Sequence, residues 1–524
     1  MRINSRVVKA VPVVASVALV LAACGSSGNS SVAQQPAAPA AAAPEAAAAP
    51  AAAAPAAAAP AAAAPAAAGT KTAAAPAAST TTATTTKAAK STKTTTKAAA
   101  AAPAAAAAGT GGTDVKSTDS ASDKAANQKI YDQKNGATEV GVTKDSIKLG
   151  SVNMHGMALG NVLVTPQVKG DEAAMSAVND RGGVLGRRLS LVDCDDGPGE
   201  VARAKACIKK LVGQDQVFSL ITGVDWATAS IHDDLKQYHL PYVGAWAYSQ
   251  TEWQDPFMFP THMSMIHEAM SGAHWAANVI KPHTYGLVCL TSPEMQLACN
   301  QVQTIMDASG SKMVKRADVS ISETSMSAYV LAMRAAAPEH IIHYVINPAT
   351  MAKFMVEAAQ QGYYPPKGIS GNHLAAEVLG SIFGQWPVGR YWTNTTYKLW
   401  GPEFIATMDK YSRFNRGTNH HIVQATYVGS LIFAAAGKAV GPNLTRQRMM
   451  AEWDNGTVWQ ADASLDQRFS YVPSERGGNN WSPDYGQGRE FIYKYTSTNT
   501  VSNPDGSPNG FAPDPDQFVI HTAK

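Results

Sequence analysis

The sequence is poor in the motifs that carry chemistry. It has no H-E-x-x-H, no G-x-S-x-G elbow, no Walker loop and no G-x-G-x-x-G, so the common hydrolase, phosphate-loop and dinucleotide signatures are missing. His262 and His267 stand five apart, which misses the i, i+4 spacing of a helical metal pair, and His420-His421 point in different directions on a helix. Cysteines are few, five in 524 residues, and none forms C-x-x-C, which argues against a thiolate zinc site. Charge is sparse at 16% and nearly balanced, with 43 basic against 40 acidic residues; no basic stripe with interleaved aromatics speaks for nucleic acid. The apolar run Val11–Val20 is too short to span a bilayer, and no other segment reads as long and apolar enough to cross a membrane. Neither a cofactor nor a catalytic set is expected, so the chain reads as a non-enzyme.

What is present begins with an address. Arg2, Arg6 and Lys9 precede the short apolar run Val11–Val20, which ends at Leu21-Ala22-Ala23-Cys24-Gly25. These are signal-peptide flanks. Leu-Ala-Ala-Cys looks like a bacterial lipobox, in which Cys24 is acylated and becomes the first residue; an ordinary secretory signal with an incidental cysteine is the plainer alternative. Removing Cys24 from the count leaves four cysteines, an even number suited to an oxidising compartment. Cys194 closes a predicted strand and Cys207 lies on the helix after it; Cys289 and Cys299 repeat the arrangement. Disulfides Cys194–Cys207 and Cys289–Cys299 are predicted, against the alternative of four buried thiols.

Residues 24–141 read as a linker. Pro50, Pro55, Pro60 and Pro65 interrupt an alanine tract every five residues, which removes helix donors and favours an extended, semi-stiff spacer. At about 3.1 Å per residue such a spacer reaches on the order of 200–300 Å. Lys71, Lys87, Lys90, Lys93 and Lys97 are spread among Thr and Ala and read as solvated. This Pro/Ala/Thr composition resembles the stalks of some actinobacterial lipoproteins.

From Val142 onward, strand and helix patterns alternate. Residues Ala174–Asp196 set the theme: a helix stops at Gly182-Gly183, turns through Val184-Leu185-Gly186, and enters the alternating strand RLSLV from Arg188. Val217–Ile221 is a continuous apolar run, as a parallel strand covered on both faces requires. A second set of alternating elements follows from Tyr285, with His340–Ile346 as a strand and Ala349–Gln361 as a helix. The helices Ile422–Ala439 and Thr445–Trp453 are expected to return to the first set, with Asn443 as N-cap of the latter. Phe491–Tyr495 reads as a late strand, and the tail beyond Thr496 as irregular.

The turn N-x-x-G-G-V-x-G-R at Asn179–Arg187, the strand Leu240-Pro241-Tyr242-Val243, and E-A-A-x-x-G-Y ending at Tyr363 resemble the type I periplasmic binding proteins. This is the leucine/isoleucine/valine-binding family of ABC importer receptors, and the resemblance covers Val142 to Tyr495. It implies an α/β fold of two doubly wound Rossmann-like lobes joined by a multi-strand hinge. The boundaries it suggests are 1–23 signal peptide, 24–141 linker, 142–264 first lobe, 265–395 second lobe, 396–480 return to the first lobe, and 481–524 terminal strand and tail.

The resemblance further implies ligand capture between the lobes. In the amino-acid binders, loops after the third and fourth strands hold the ligand carboxylate; here they are Val224-Asp225-Trp226-Ala227-Thr228 and Ala245-Trp246-Ala247-Tyr248. Asp225-Trp226 stand where those binders offer a serine, and Tyr248 where they offer a threonine. An ionised Asp225 would repel a carboxylate, and Trp226 and Trp246 add stacking faces. The bland readings are a helix cap for Asp225 and helix packing for the tryptophans. Ser292, Asn347 and Asn372 mark the corresponding loops of the second lobe, and His155 follows the first strand. No acid lies near Asn372-His373 before Glu377 to pair with an α-ammonium. The implied protein is a monomeric solute receptor, lipid-anchored on the extracytoplasmic face and serving an ABC permease; a sensor of the same fold or a wall hydrolase are the alternatives. The acidic strand end Asp193, Asp195, Asp196 reads as a cation site or a solvated edge.

Overall fold

Parallel pairing gives the apolar runs their place. The computed structural model describes residues 119–157, 160–223, 227–244, 249–262, 264–344, 348–371, 386, 388–395, 398, 401–412, 422–455, 457, 459–465, 469–471, 486–487, 491–495 and 511–513. In the first lobe β1 (Ser146–Asn153), β2 (Arg188–Asp195), β3 (Ser219–Ile221), β4 (Tyr242–Val243) and β5 (Met258–Phe259) form an all-parallel sheet in the order β2-β1-β3-β4-β5. In the second lobe come β6 (Thr284–Leu290), β7 (Lys312–Val319), β8 (His340–Tyr344), β9 (Ile369–Gly371) and β10 (Tyr391–Thr395). A two-stranded pair, β11 (Phe469–Ser470) and β12 (Gly486–Gln487), stands apart. β13 (Phe491–Tyr495) and β14 (Phe511–Pro513) then extend the second sheet, in the order β14-β13-β10-β9-β8-β6-β7. β13 and β14 are antiparallel and the rest parallel. Two doubly wound sheets with helical crossovers are the fold class that the sequence predicts.

The helix-to-strand turn explains its own residues. Gly182 and Gly183 adopt φ of +91° and +67°. A Cβ at Gly183 would lie 2.1 Å from the Arg187 carbonyl oxygen, so only glycine closes this turn. Asn179 clips helix Gly160–Asp180 to the strand, its Nδ2 donating to Leu189 O (2.9 Å) and its Oδ1 accepting from Leu189 N (2.7 Å). Arg187 is fully buried: Nε donates to Thr143 O (2.8 Å), Nη2 to Pro442 O (2.8 Å) and Gly136 O (3.2 Å), and the guanidinium lies 5.0 Å from the Tyr131 ring centroid. Three distant chain segments therefore meet on one side chain at the amino ends of β1 and β2.

Helix Ile422–Val440 packs along helix Gly160–Asp180. Thr426 Oγ1 donates to Gln167 O (2.8 Å) and Ser430 Oγ to Asp171 Oδ1 (2.6 Å). The segment Val423–Val440 has the length and composition of a membrane span, a property the sequence reading did not grant it; 83% of it is buried inside the protein, as a core helix must be. Arg446 ties the next helix, Arg446–Asp454, to the first sheet through Phe218 O, Tyr238 O and Val217 O. The chain leaving β5 is pinned by Tyr471 Oη, which donates to Pro260 O (2.8 Å), and by Thr261 Oγ1 on Ala425 O (3.2 Å).

Four expectations need correction. Regular structure is present before Val142, in helix Ala121–Gln133. Ser120 and Asp123 form its capping box, and polar contacts dock it: Asn443 Nδ2 on Asn127 Oδ1 (3.2 Å) and Arg448 Nη2 on Asp119 Oδ2 (2.8 Å). Asn443 is thus engaged elsewhere, and Thr445 caps helix Arg446–Asp454 instead, its side chain accepting from Arg448 N. The crossing helix that the sequence pattern predicts over Ala269–Val279 starts earlier, at Met265, and continues as a wider-turned segment over Ala276–Ile280. Finally, β14 lies in the tail that the sequence reads as irregular, where it completes a sheet edge.

Candidate functional site

Open α/β sheets bind ligands beyond the carboxyl ends of their strands, so the site is built from what those ends present. In the first lobe β1 ends at Asn153 and runs into Met154-His155. His155 Nε2 lies 2.7 Å from Asp193 Oδ2, and Asn153 Nδ2 donates to the other oxygen, Oδ1, at 2.6 Å. Asn153 Nδ2 also reaches Ser151 Oγ (2.7 Å), which in turn donates to Thr222 O (2.6 Å). A chain of polar groups therefore runs from β2 through β1 to the end of β3. Asp193 holds the imidazole by one nitrogen, which fixes ring orientation and tautomer. The His155 and Asp193 side chains are each 29% exposed, so this arm of the chain reaches solvent.

Behind the β3 loop lies a buried acid. Asp171, on helix Gly160–Asp180, accepts from Thr222 Oγ1 and from Ser430 Oγ. All three residues are essentially inaccessible. Burial pushes the Asp171 carboxyl well above the usual range, against the two hydroxyl contacts. Gly244, at φ +78° after β4, packs on the Thr222 methyl; a Cβ there would come within 2.2 Å. Thr222 is thus wedged at the root of both loops that leave β3 and β4.

The sequence candidates distribute as follows. Ala227 and Thr228 are buried at the start of the short helical turn Thr228–Ile231, where Ala227 O accepts from Ser230 Oγ (2.6 Å). Ser292 occupies the N-cap of helix Pro293–Ala308 but makes no side-chain capping bond, so its hydroxyl does not serve the helix. Asp225, Trp226, Trp246, Ala247, Tyr248, Asn347 and Asn372 lie outside the described residues, as does Cys24. Both disulfides are present, Cys194–Cys207 and Cys289–Cys299, each joining a strand to the helix that follows it. Among the described residues no group of three His, Cys, Asp or Glu is placed to hold a metal. Asp193 gives one oxygen to Asn153 and the other to His155. Asn153, Ser151, Asp171 and Thr222 were not singled out from the sequence; their signal is polar residues inside otherwise apolar strands and helices.

Two doubly wound sheets, the first all parallel and the second parallel but for β13 and β14, give the chain two lobes. Residues 158–482 match the family model for periplasmic binding proteins, and the chain belongs to that family. Comparison with curated proteins gives no match. Among solved structures, the chain is similar to a fatty acid ABC transporter substrate-binding protein from Thermomonospora curvata (16% identity, TM-score 0.58, covering 73% of this chain and 94% of that one). A solute binding protein of an ABC transporter from R. palustris in complex with 4-hydroxybenzoate gives 15% identity and TM-score 0.60 over 71% and 97%. The branched-chain amino acid transporter substrate binding protein LivJ from Streptococcus pneumoniae in complex with isoleucine gives 13% and 0.56 over 72% and 99%. These likenesses show the fold.

Proposed function

We propose that this protein is an extracytoplasmic solute receptor, lipid-anchored through Cys24, that traps a small polar molecule between its lobes and hands it to an ABC permease. The observation that carries the reading is the His155–Asp193–Asn153 cluster at the carboxyl end of β1, a pre-oriented imidazole with Nε2 committed to Asp193. We assign Nδ1 of His155 to the ligand, with the β3 and β4 loops, including Asp225, Trp226, Trp246 and Tyr248, completing the first-lobe wall. Ser292, Asn347 and Asn372 are assigned to the second-lobe wall. Closure is a hinge motion in which ligand selects the shut form. Since similar structures are described with 4-hydroxybenzoate and with isoleucine, and one is named a fatty acid transporter protein, carboxylic acids head the ligand panel.

The test is a thermal-shift panel of amino acids, amides, short-chain and aromatic acids and polyols. A ligand at 100 times its Kd adds about 2.7 kcal/mol to folded-state stability. H155A should weaken the hit at least tenfold. Turnover of any hit, or full affinity in H155A, would overturn this assignment.

A further inference from the structure

The two disulfides hold equivalent places in their lobes, yet they differ in access. Cys289 and Cys299 are both 0% exposed and Cys207 is 4% exposed, whereas Cys194 is only partly buried. The cause is sheet order. β6 lies between β8 and β7, so its apolar run around Cys289 is covered on both sides. β2 is the edge of its sheet, paired with β1, and its polar end Asp193-Cys194-Asp195 borders solvent. A thiolate that attacks a disulfide needs a path to one sulfur, and only the first-lobe bridge offers a cysteine at the surface.

Cys194 also stands where the candidate site is held together. Asp193, before it, takes Asn153 and His155 at 2.6 and 2.7 Å. Asp195, after it, accepts from Gly197 N at 2.9 Å, and Gly197 O accepts from Gly156 N at 3.0 Å. The loop that carries His155 therefore rests on the loop that leaves β2. The contact is close: a Cβ at Gly156 would lie 2.9 Å from Gly197 Cα. An edge strand has no second strand to fasten it, and here the bond to Cys207 ties its end to helix Val201–Gly213 instead. That helix is anchored by Ala204, Ile208 and Leu211 on its buried face, a packing that does not depend on the bond.

We infer that Cys194–Cys207 is a redox latch on the first-lobe side of the site: a dithiol opens it while Cys289–Cys299 stays closed, and opening frees the His155 loop without unfolding the lobe. One thiolate of the dithiol attacks Cys194 Sγ, the Cys194–Cys207 bond breaks, and Cys207 leaves as a thiolate that takes up a proton. The second thiol then displaces Cys194 from the mixed disulfide. Two electrons and two protons pass to the protein, and the reductant is left as a cyclic disulfide. That a freed His155 weakens ligand capture rests on the receptor reading; the latch itself does not, and its test uses no ligand.

In the full chain, free thiols are blocked with N-ethylmaleimide, dithiothreitol is titrated in, and newly formed thiols are labelled with the heavy-isotope reagent and located by peptide mass spectrometry. Cys194 and Cys207 should be labelled at least tenfold faster than Cys289 and Cys299. In the reduced chain, amide exchange at residues 153–157 and 193–199 should speed up at least tenfold, with β6 and β8 unchanged and protection restored on reoxidation. C194S/C207S should show the same local pattern without reductant; if circular dichroism finds it unfolded, the reduced wild type carries the comparison. Equal reduction of both bridges, unchanged exchange at residues 153–157, or faster exchange throughout the chain would each overturn the inference. None of these outcomes touches the receptor reading.

Discussion

Replacing Arg187 with methionine probes the junction on which the first lobe is assembled. The guanidinium gives hydrogen bonds to three carbonyls, Thr143 O, Gly136 O and Pro442 O, with no exposure to solvent. A hydrogen bond involving a charged group contributes about 1.5–3 kcal/mol, so three gross to roughly 4.5–9 kcal/mol. Against this stand the burial of the charge, which lowers the Arg187 pKa, and Nη1, which has no hydrogen-bond partner among the described residues. An unpaired buried donor costs about 1–3 kcal/mol. The difference, about 3.5–6 kcal/mol before the cost of burying the charge, leaves an expected loss of roughly 3–5 kcal/mol for R187M, part of it the penalty of three orphaned carbonyls. R187K should fall between, because one ammonium cannot span three acceptors in fork geometry. Urea unfolding followed by tryptophan fluorescence measures the change. Hydrogen exchange should localise it, with protection lost first around residues 136–143 and 442. A loss below about 1 kcal/mol in R187M, or R187K behaving as wild type, would refute the reasoning.

The Asp171 carboxyl, whose pKa burial raises, contributes stability below its unfolded-state pKa that is lost as pH rises through its elevated folded value. D171N should therefore raise Tm at neutral pH, with the gain shrinking towards pH 4; a pH-independent effect would count against it. His343 and His340 behave oppositely: burial lowers their pKa values to about 3 and about 4, so the stability they allow above pH 6.5 declines as pH falls towards those values. H343F should flatten that decline in a pH–Tm series. Removing Cys194–Cys207, which spans 13 residues of sequence, should cost about 3 kcal/mol, read from Tm with and without reductant. G183A, with its Cβ driven against Arg187 O, should destabilise far more than G186A, which has a positive φ but open space and should lose only about 1–2 kcal/mol.

How much the sequence reveals depends on whether a residue's partner is near in chain order. Val217–Ile221 announces a covered strand because burial on both faces requires an unbroken apolar run. The two disulfides are legible because each cysteine pair sits within one strand–helix unit. Helix Ala121–Gln133 is not, because it is docked by Asn127 and Asp119 on residues more than 300 positions away rather than by an apolar stripe. β10 hides for a related reason: Thr393, Asn394 and Thr395 are buried, so its polar composition imitates a loop. At the site, His155 is visible as a histidine after a strand. Its Asp193 partner emerges only from the parallel register, which sets Ser151 opposite Asp193 and brings residues 38 apart into contact.

The docking of helix Ala121–Gln133 decides where a pull on the N-terminal chain is felt. Its moorings, Asn443, Arg448 and the Tyr131–Arg187 stack, all belong to the foot of the first sheet, away from His155. If the proposed anchor at Cys24 holds, a pull on the chain would enter the protein at this helix, on the first lobe and far from His155.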